Sequence, residues 1–196
     1  MAQKSAERPR CLDVAQGMVA IGGGTFTMGS DHHYPEEKPA HRVKVSDFLI
    51  DRTPVTNRQF AAFVDATGYR TVAEVPPRAE DYPGALPEML VPGSLVFTPT
   101  PGPVRLDDWS QWWAWVPGAC WRHPLGPGSG IEALMDHPVV HVCHIDAEAY
   151  CDWAGKSLPT EAEWEYAAWA GAEGREYAWG DELVPGGRHM ANIFQG

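Results

Sequence analysis

Hydrophobic and polar positions alternate most plainly in HRVKVSDFLID (41–51), where Val43 and Val45 fall on one face ahead of the apolar run 48–50; the pattern predicts a strand. Upstream, MVAIGGGTFTMGS (18–30) places two short apolar runs around a triple glycine, which predicts a hairpin with a loose turn. A phosphate-binding loop would need Lys-Ser/Thr after the glycines or a helix opening from them, and neither follows. A helical period takes over at residue 56. Thr56 and Gln59 form a capping box, Phe60, Phe63, Val64 and Thr67 recur at helical spacing, and Gly68 is placed to end the helix. Residues 74–105 carry repeated prolines and glycines without period and read as a loop long enough to present a functional surface. HPVVHV (137–142) is a short buried-strand candidate. Asp146 is placed to cap the helix after it, where Ala147, Tyr150, Cys151 and Ala154 share a face and Gly155 closes the end.

SLPTEAEWEYAA (157–168) concentrates three glutamates, and the question is whether they are acid/base machinery. Thr160 and Glu163 are three apart, the spacing of a reciprocal capping box, with Pro159 and Trp164 where a hydrophobic staple would sit. Glu161 and Glu163 also fall in the first turn, where negative charge complements the helix dipole. That structural role is sufficient, since nothing nearby in sequence would separate the carboxylate pKa values.

Length and composition then narrow the picture. The chain has 196 residues, 44% of them hydrophobic, which suits one compact domain over 18–196 behind a polar leader at 1–17. Its 20 glycines and 18 prolines show no repeat, which argues for a globular chain rich in irregular connections. A formal charge of -11 with no localised basic face argues against a nucleic-acid partner. No stretch is apolar enough for a signal-peptide core or a membrane span, so a soluble, cytoplasmic protein is expected. Cys11, Cys120, Cys143 and Cys151 lack Cys-x-x-Cys spacing and are expected to be reduced thiols.

Three clusters remain as candidate chemistry. His137, His141, Cys143 and His144 are dense, but Pro138 and the valines favour an extended segment that splits them between faces, so buried or partnered histidines are expected in place of a metal site. Trp109, Trp112, Trp113, Trp115 and Trp121 lie within thirteen positions; most are expected in the core, with part of the cluster as a groove wall beside Arg122 and His123. Tyr177 to Asp181 reads as an aromatic turn, and Asn192 and Ile193 could offer a side-chain amide oxygen and a backbone carbonyl to a hard cation such as calcium.

Taken in order, GGTFTMGS (23–30), PEEKPAHRVKVSDFLIDRTPVTNRQFAAFVDATGY (35–69), GACWRHPLGP (118–127), HPVVHV, DAEAYCDWAGKSLPTEAEWEYAA (146–168), YAWGD (177–181) and ANIFQG (191–196) resemble the formylglycine-generating enzyme family, the sulfatase-modifying factors. The resemblance implies an α+β domain of low regular secondary structure, a variation on the C-type-lectin-like fold that often holds structural calcium. It also implies a reaction, in which complete members bind a sulfatase segment of the type Cys-x-Pro-x-Arg and use dioxygen to oxidise its cysteine to formylglycine, with copper(I) on two thiols.

The family's cysteine pair lies in a C-terminal segment that follows a Gly-Asn-Val-Trp-Glu-Trp motif, and neither has a counterpart among these 196 residues. None of the four cysteines matches the pair. The chain is therefore expected to be the N-terminal portion of the domain, incomplete at its C-terminus, supplying scaffold and inactive alone, with a sulfatase polypeptide as substrate of the complete enzyme and a complementary C-terminal fragment as a possible partner. Asn192 and Ile193 match family calcium ligands. Ser157, Trp169 and His144 depart from the usual family residues. The alternative is a non-catalytic peptide- or glycan-binding module of the same fold; the related iron-dependent sulfoxide synthases rank last, because Cys143 stands where their iron-binding glutamate would be.

Overall fold

A computed structural model of the chain describes residues 17–192; residues 1–16, nearly all of the expected leader, lie outside the described residues. In chain order the regular elements are β1 (Met18–Ile21), β2 (Gly24–Met28), β3 (His41–Val45), β4 (Phe48–Asp51), α1 (Asn57–Thr67), β5 (Gly93–Phe97), β6 (Trp113–Pro117), α2 (His144–Ala154) and α3 (Glu161–Trp169), joined by short 3-10 turns. This is a mixed helix and small-sheet chain, as an α+β reading requires. Among the described residues no helix is long and apolar enough to cross a membrane. Contacts divide the chain into two compact units, one spanning Thr53–Leu158 and the other joining Gly17–Arg52 to the segment that begins at Pro159.

In the unit that contains both chain ends of the described region, β1 pairs with β4 and β2 with β3, all antiparallel. The expected β1–β2 hairpin does not form. Ile21 faces Phe48, and three residues on, Gly24 faces Val45, three residues back, so the two ladders keep one register along a single interrupted ribbon. The glycines mark the interruption. The Gly23 N–H donates to Asp47 Oδ1 at 2.7 Å, and a Cβ on Gly23 would stand 2.5 Å from the Val45 carbonyl oxygen. The opposite chain breaks at the same level, at Ser46 and Asp47, so the predicted strand 41–51 is two strands.

α3 closes this unit. Phe26, 1% exposed, packs on Tyr166 with ring centroids 5.3 Å apart, and Gly24 leaves the space that the Tyr166 hydroxyl fills. The predicted capping box is present: the Glu163 N–H donates to Thr160 Oγ1 at 3.2 Å and the Thr160 N–H donates to Glu163 Oε2 at 2.8 Å. Glu165 accepts from the Gly29 N–H and the Trp169 indole N–H, so a second glutamate of the cluster is also structural. The expected staple gives Trp164 little cover, for it remains 63% exposed. The aromatic turn forms as read, with Tyr177 and Trp179 stacked 5.2 Å apart and Asp181 accepting from the Glu176 N–H.

In the other unit, α1 begins at its capping box, with Gln59 N–H to Thr56 Oγ1 at 3.3 Å and Thr56 N–H to Gln59 Oε1 at 2.8 Å, and ends at Gly68 with φ 68°. Phe60 and Phe63 pack with Trp121, Ile131, Tyr150 and Ala154 into one buried cluster. Phe60 meets the Trp121 ring edge-on at 5.1 Å, and Phe63 meets Tyr150 edge-on at 5.7 Å. Such edge-to-face pairs add about 0.5–1.5 kcal/mol each beyond the area they bury. HPVVHV is not a strand. Its backbone makes two bonds alongside the entry to α1, Asn57 N–H to the His137 carbonyl and Val139 N–H to the Val55 carbonyl, before His141 turns into the left-handed region at φ 57°. Asp146 is the third residue of α2 and not its cap: its Oδ2 accepts from the N–H of Cys143, the residue at the cap position. The stretch expected as loop contains β5, which pairs with β6 through Leu95 opposite Trp115 and Phe97 opposite Trp113.

Candidate functional site

The long connection after α1 folds back to form a groove of about 550 Å³ within the unit spanning Thr53–Leu158. One wall is the β5–β6 hairpin, contributing Ser94 and Trp115; a second is the proline turn at Pro76 and Pro77 with Arg78 and Tyr82; the base is His141 to Cys143 with Asp146. Period-2 alternation puts Leu95, Phe97, Trp113 and Trp115 on one face of the hairpin, while Val96 turns inward and is 7% exposed. All four remain more than a third exposed, so the hairpin presents an aromatic and aliphatic surface that continues into the groove through Trp115. Of the five clustered tryptophans, Trp121 is the one with no exposed surface. Most of the cluster is therefore surface and not the core that the sequence suggests.

Asp146 holds the base of the groove together. It has no exposed surface, and its two oxygens collect three donors from three places in the chain: Tyr69 Oη–H at 2.9 Å, Val72 N–H at 3.1 Å and Cys143 N–H at 2.8 Å. Burial, and then the hydrogen bond to Asp146 and its charge, push the Tyr69 phenol up to about 12. His141 sets the chain direction next to it. Its left-handed backbone, a conformation histidine tolerates better than most side chains, is accompanied by a 2.9 Å hydrogen bond from Nε2 to the Pro124 carbonyl oxygen. A carbonyl only accepts, so Nε2 carries the proton. Arg70 and Arg78 are held at the rim, Arg70 by the Glu74 carbonyl and Arg78 by Asp81 and Glu80.

The sequence candidates for metal ligation do not converge. The rings of His141 and His144 turn to the Pro124 carbonyl and to Glu148, and no group of three or more His, Cys, Asp or Glu side chains is placed to hold a metal ion among the described residues. Copper(I) cannot be shared by Cys143 and Cys151. Cys143 and Cys151 are eight residues apart along α2, about 12 Å at 1.5 Å per residue, and Cys120 is buried in a turn bridged to His123. Asn192 is exposed and Ile193 lies outside the described residues, so one of the two expected calcium ligands has a described position.

Sequence reasoning missed Tyr69, Asp146 in its actual role, Tyr82 and Ser94. The signal for Asp146 was available in part: an acidic residue three positions after Cys143 is the capping-box spacing, with a cysteine in the place usually held by Ser or Thr.

A model of the sulfatase-modifying factor enzyme 1-like domain matches residues 3–196 of this chain. A formylglycine-generating enzyme from Mycobacterium tuberculosis is 58% identical over 179 residues, which is 91% of this chain and 60% of the relative. One from Thermomonospora curvata is 50% identical over 188 residues, 94% of this chain and 59% of the relative. A bovine protein named inactive C-alpha-formylglycine-generating enzyme 2 is 42% identical, covering 95% of this chain and 60% of its own length. The chain thus spans about 60% of the length of these relatives. Matched along nearly all its residues by the domain and by relatives at this identity, the chain belongs to the sulfatase-modifying factor, or formylglycine-generating enzyme, family.

Proposed function

We propose that this chain forms the N-terminal part of a formylglycine-generating enzyme and supplies its scaffold together with a wall for an extended cysteine-containing segment of a sulfatase polypeptide. The observation that carries this reading is the groove between the β5–β6 hairpin and the Cys143–Asp146 base, open along one side and lined by Trp115, Tyr82 and a pair of prolines. Aromatic faces and proline turns suit an extended peptide, whose backbone polar groups stay partly hydrated while its side chains rest on apolar surface. Oxidation of the bound cysteine, with dioxygen and copper(I), is assigned to residues outside this chain, because none of its four cysteines matches the pair that the family resemblance implies. Calcium at Asn192 and Ile193 belongs to the same proposal, with its other oxygens supplied from elsewhere in the complete enzyme.

The experiment is mass spectrometry of a Cys-x-Pro-x-Arg peptide incubated with the chain and copper(I), alone and with a polypeptide carrying the remaining part of the domain. The expected result is no aldehyde from the chain alone and conversion once the second polypeptide is added. Aldehyde formation by the isolated chain overturns the proposal. A second reading, a non-catalytic binding module, is supported by the exposed hairpin face and by the existence of relatives named inactive. It expects peptide binding with no conversion in either arm.

A further inference from the structure

The unit built on β1 to β4 and α3 contains a second cavity, of about 840 Å³, which the proposed function does not use. Its apolar wall is Met28, Ala168, Trp169 and Trp164, whose indole is 63% exposed. Its rim is acidic. Glu36, Glu37, Glu161, Glu165, Glu173 and Glu176 line it, against the fixed cations Lys38 and Arg175. Arg42 pairs with Glu173 at 2.9 Å, which still leaves an excess of three carboxylates. Glu36, Glu37 and Glu161 make no ion pair or side-chain hydrogen bond with any other described residue, unlike the structurally engaged Glu165.

We propose that this cavity docks a lysine- or arginine-bearing segment of another polypeptide. A long cationic side chain matches both features at once: its methylene stem lies on apolar surface while its head reaches a carboxylate, and an exposed indole face attracts the same cation by about 0.5–1 kcal/mol. The unengaged carboxylates come from separate stretches of chain, the loop before β3 and the start of α3, so cations spaced along a peptide satisfy them better than one small amine does. A second copy of this chain is disfavoured as the occupant, since at -11 it would bring like charge to the rim.

The test is fluorescence anisotropy of a short labelled peptide with lysine at alternate positions, titrated with the full chain at low and at physiological salt. The lysine peptide is expected to bind, more weakly as salt rises, while the counterpart with glutamate for lysine does not bind. Replacing Glu36, Glu37 and Glu161 together by glutamine is expected to weaken binding by about tenfold at low salt, and Trp164→Ala several-fold, with unchanged far-UV circular dichroism. Trp115→Ala, in the groove of the other unit, is expected to leave this affinity unchanged, which separates the failure of this proposal from failure of the peptide groove. Absence of binding, equal affinity for the glutamine and Trp164→Ala variants, equal binding of the glutamate peptide, loss on Trp115→Ala, or displacement by arginine amide at the same concentration as by the peptide would each overturn it.

Discussion

Removing the Asp146 carboxylate is the sharpest single perturbation of the groove. Asp146→Ala deletes three hydrogen bonds at once, to Tyr69, Val72 and Cys143, all partly buried. Bonds to a charged acceptor are worth about 1.5–3 kcal/mol each, and partial burial lets water recover some of that, so the lower end of the range applies. The loss comes to about 3–5 kcal/mol, a large part of the roughly 5–15 kcal/mol that holds a typical domain together. Asp146→Asn keeps one oxygen and presents an NH₂ where the other stood. If the retained oxygen faces Tyr69 and Val72, the amide meets the Cys143 N–H donor to donor, one bond is lost and one clash appears. That variant should cost about 1–3 kcal/mol. Urea unfolding of the full chain, followed by far-UV circular dichroism at constant m-value, measures both. A loss below about 1 kcal/mol for alanine, or equal losses for alanine and asparagine, would refute the claim that these three donors depend on this carboxylate.

Three further expectations follow from local geometry. Tyr69, raised from 10.0 to about 12, should ionise well above the ordinary tyrosine value in a titration followed by phenolate absorbance. A raised folded value stabilises the fold fully below pH 10.0 and loses that contribution as pH climbs toward 12, and Asp146→Asn should shift the phenol back toward 10.0. Gly23→Ala places a methyl against the Val45 carbonyl, a backbone atom that cannot swing away; about 1–3 kcal/mol of destabilisation is expected in a thermal melt, whereas Gly22→Ala, in open space, should cost well under that. Thr160→Ala removes the acceptor for the Glu163 N–H and should cost about 1 kcal/mol, with Glu163→Gln nearly neutral because the amide oxygen still reaches back; equal losses would mean the charge and not the cap is what matters.

What could be read from the chain and what could not separate along a physical line. Both capping boxes were legible because a box is closed within four residues: donor, acceptor and spacing are all printed in TNRQ and TEAE. Gly68 and Gly155 as helix ends were legible for the same reason, and both adopt φ 68°. The strand partners were not. Two apolar runs around three glycines look like a hairpin at short range, and only the pairing with residues 41–51 shows that the glycines are the gap in a ribbon whose turn lies elsewhere. β5 was hidden because GSLVFT is six residues between prolines, too short for periodicity to speak, and its strand character comes from WAWVP opposite. For the candidate site, the tryptophan-rich stretch was expected mostly in the core, and one of its members, Trp115, lines the groove; Asp146 was read as a helix cap because its other two partners, Tyr69 and Val72, stand more than seventy residues away.

The same line explains where this chain's function is concentrated. Elements specified locally, α1 and α3, are the ones that organise the two buried clusters, Phe60 with Phe63 and Phe26 with Tyr166. The surfaces that carry candidate chemistry are assembled from segments remote in sequence, and each is fixed by a few polar contacts in place of a broad apolar interface: Asp146 for the groove, Glu165 on the Gly29 N–H beside the acidic cavity. Substitutions at the buried Phe26, Phe60 and Phe63 should therefore lower stability with little change in ligand preference, while Glu165 should alter binding before it alters the melt of the rest. Measuring peptide affinity and urea midpoint on the same Glu165→Gln protein checks this directly. The amide still accepts from Gly29 through its oxygen, so stability should hold within about 1 kcal/mol, and a collapse of the melt would place the carboxylate in the core's support instead.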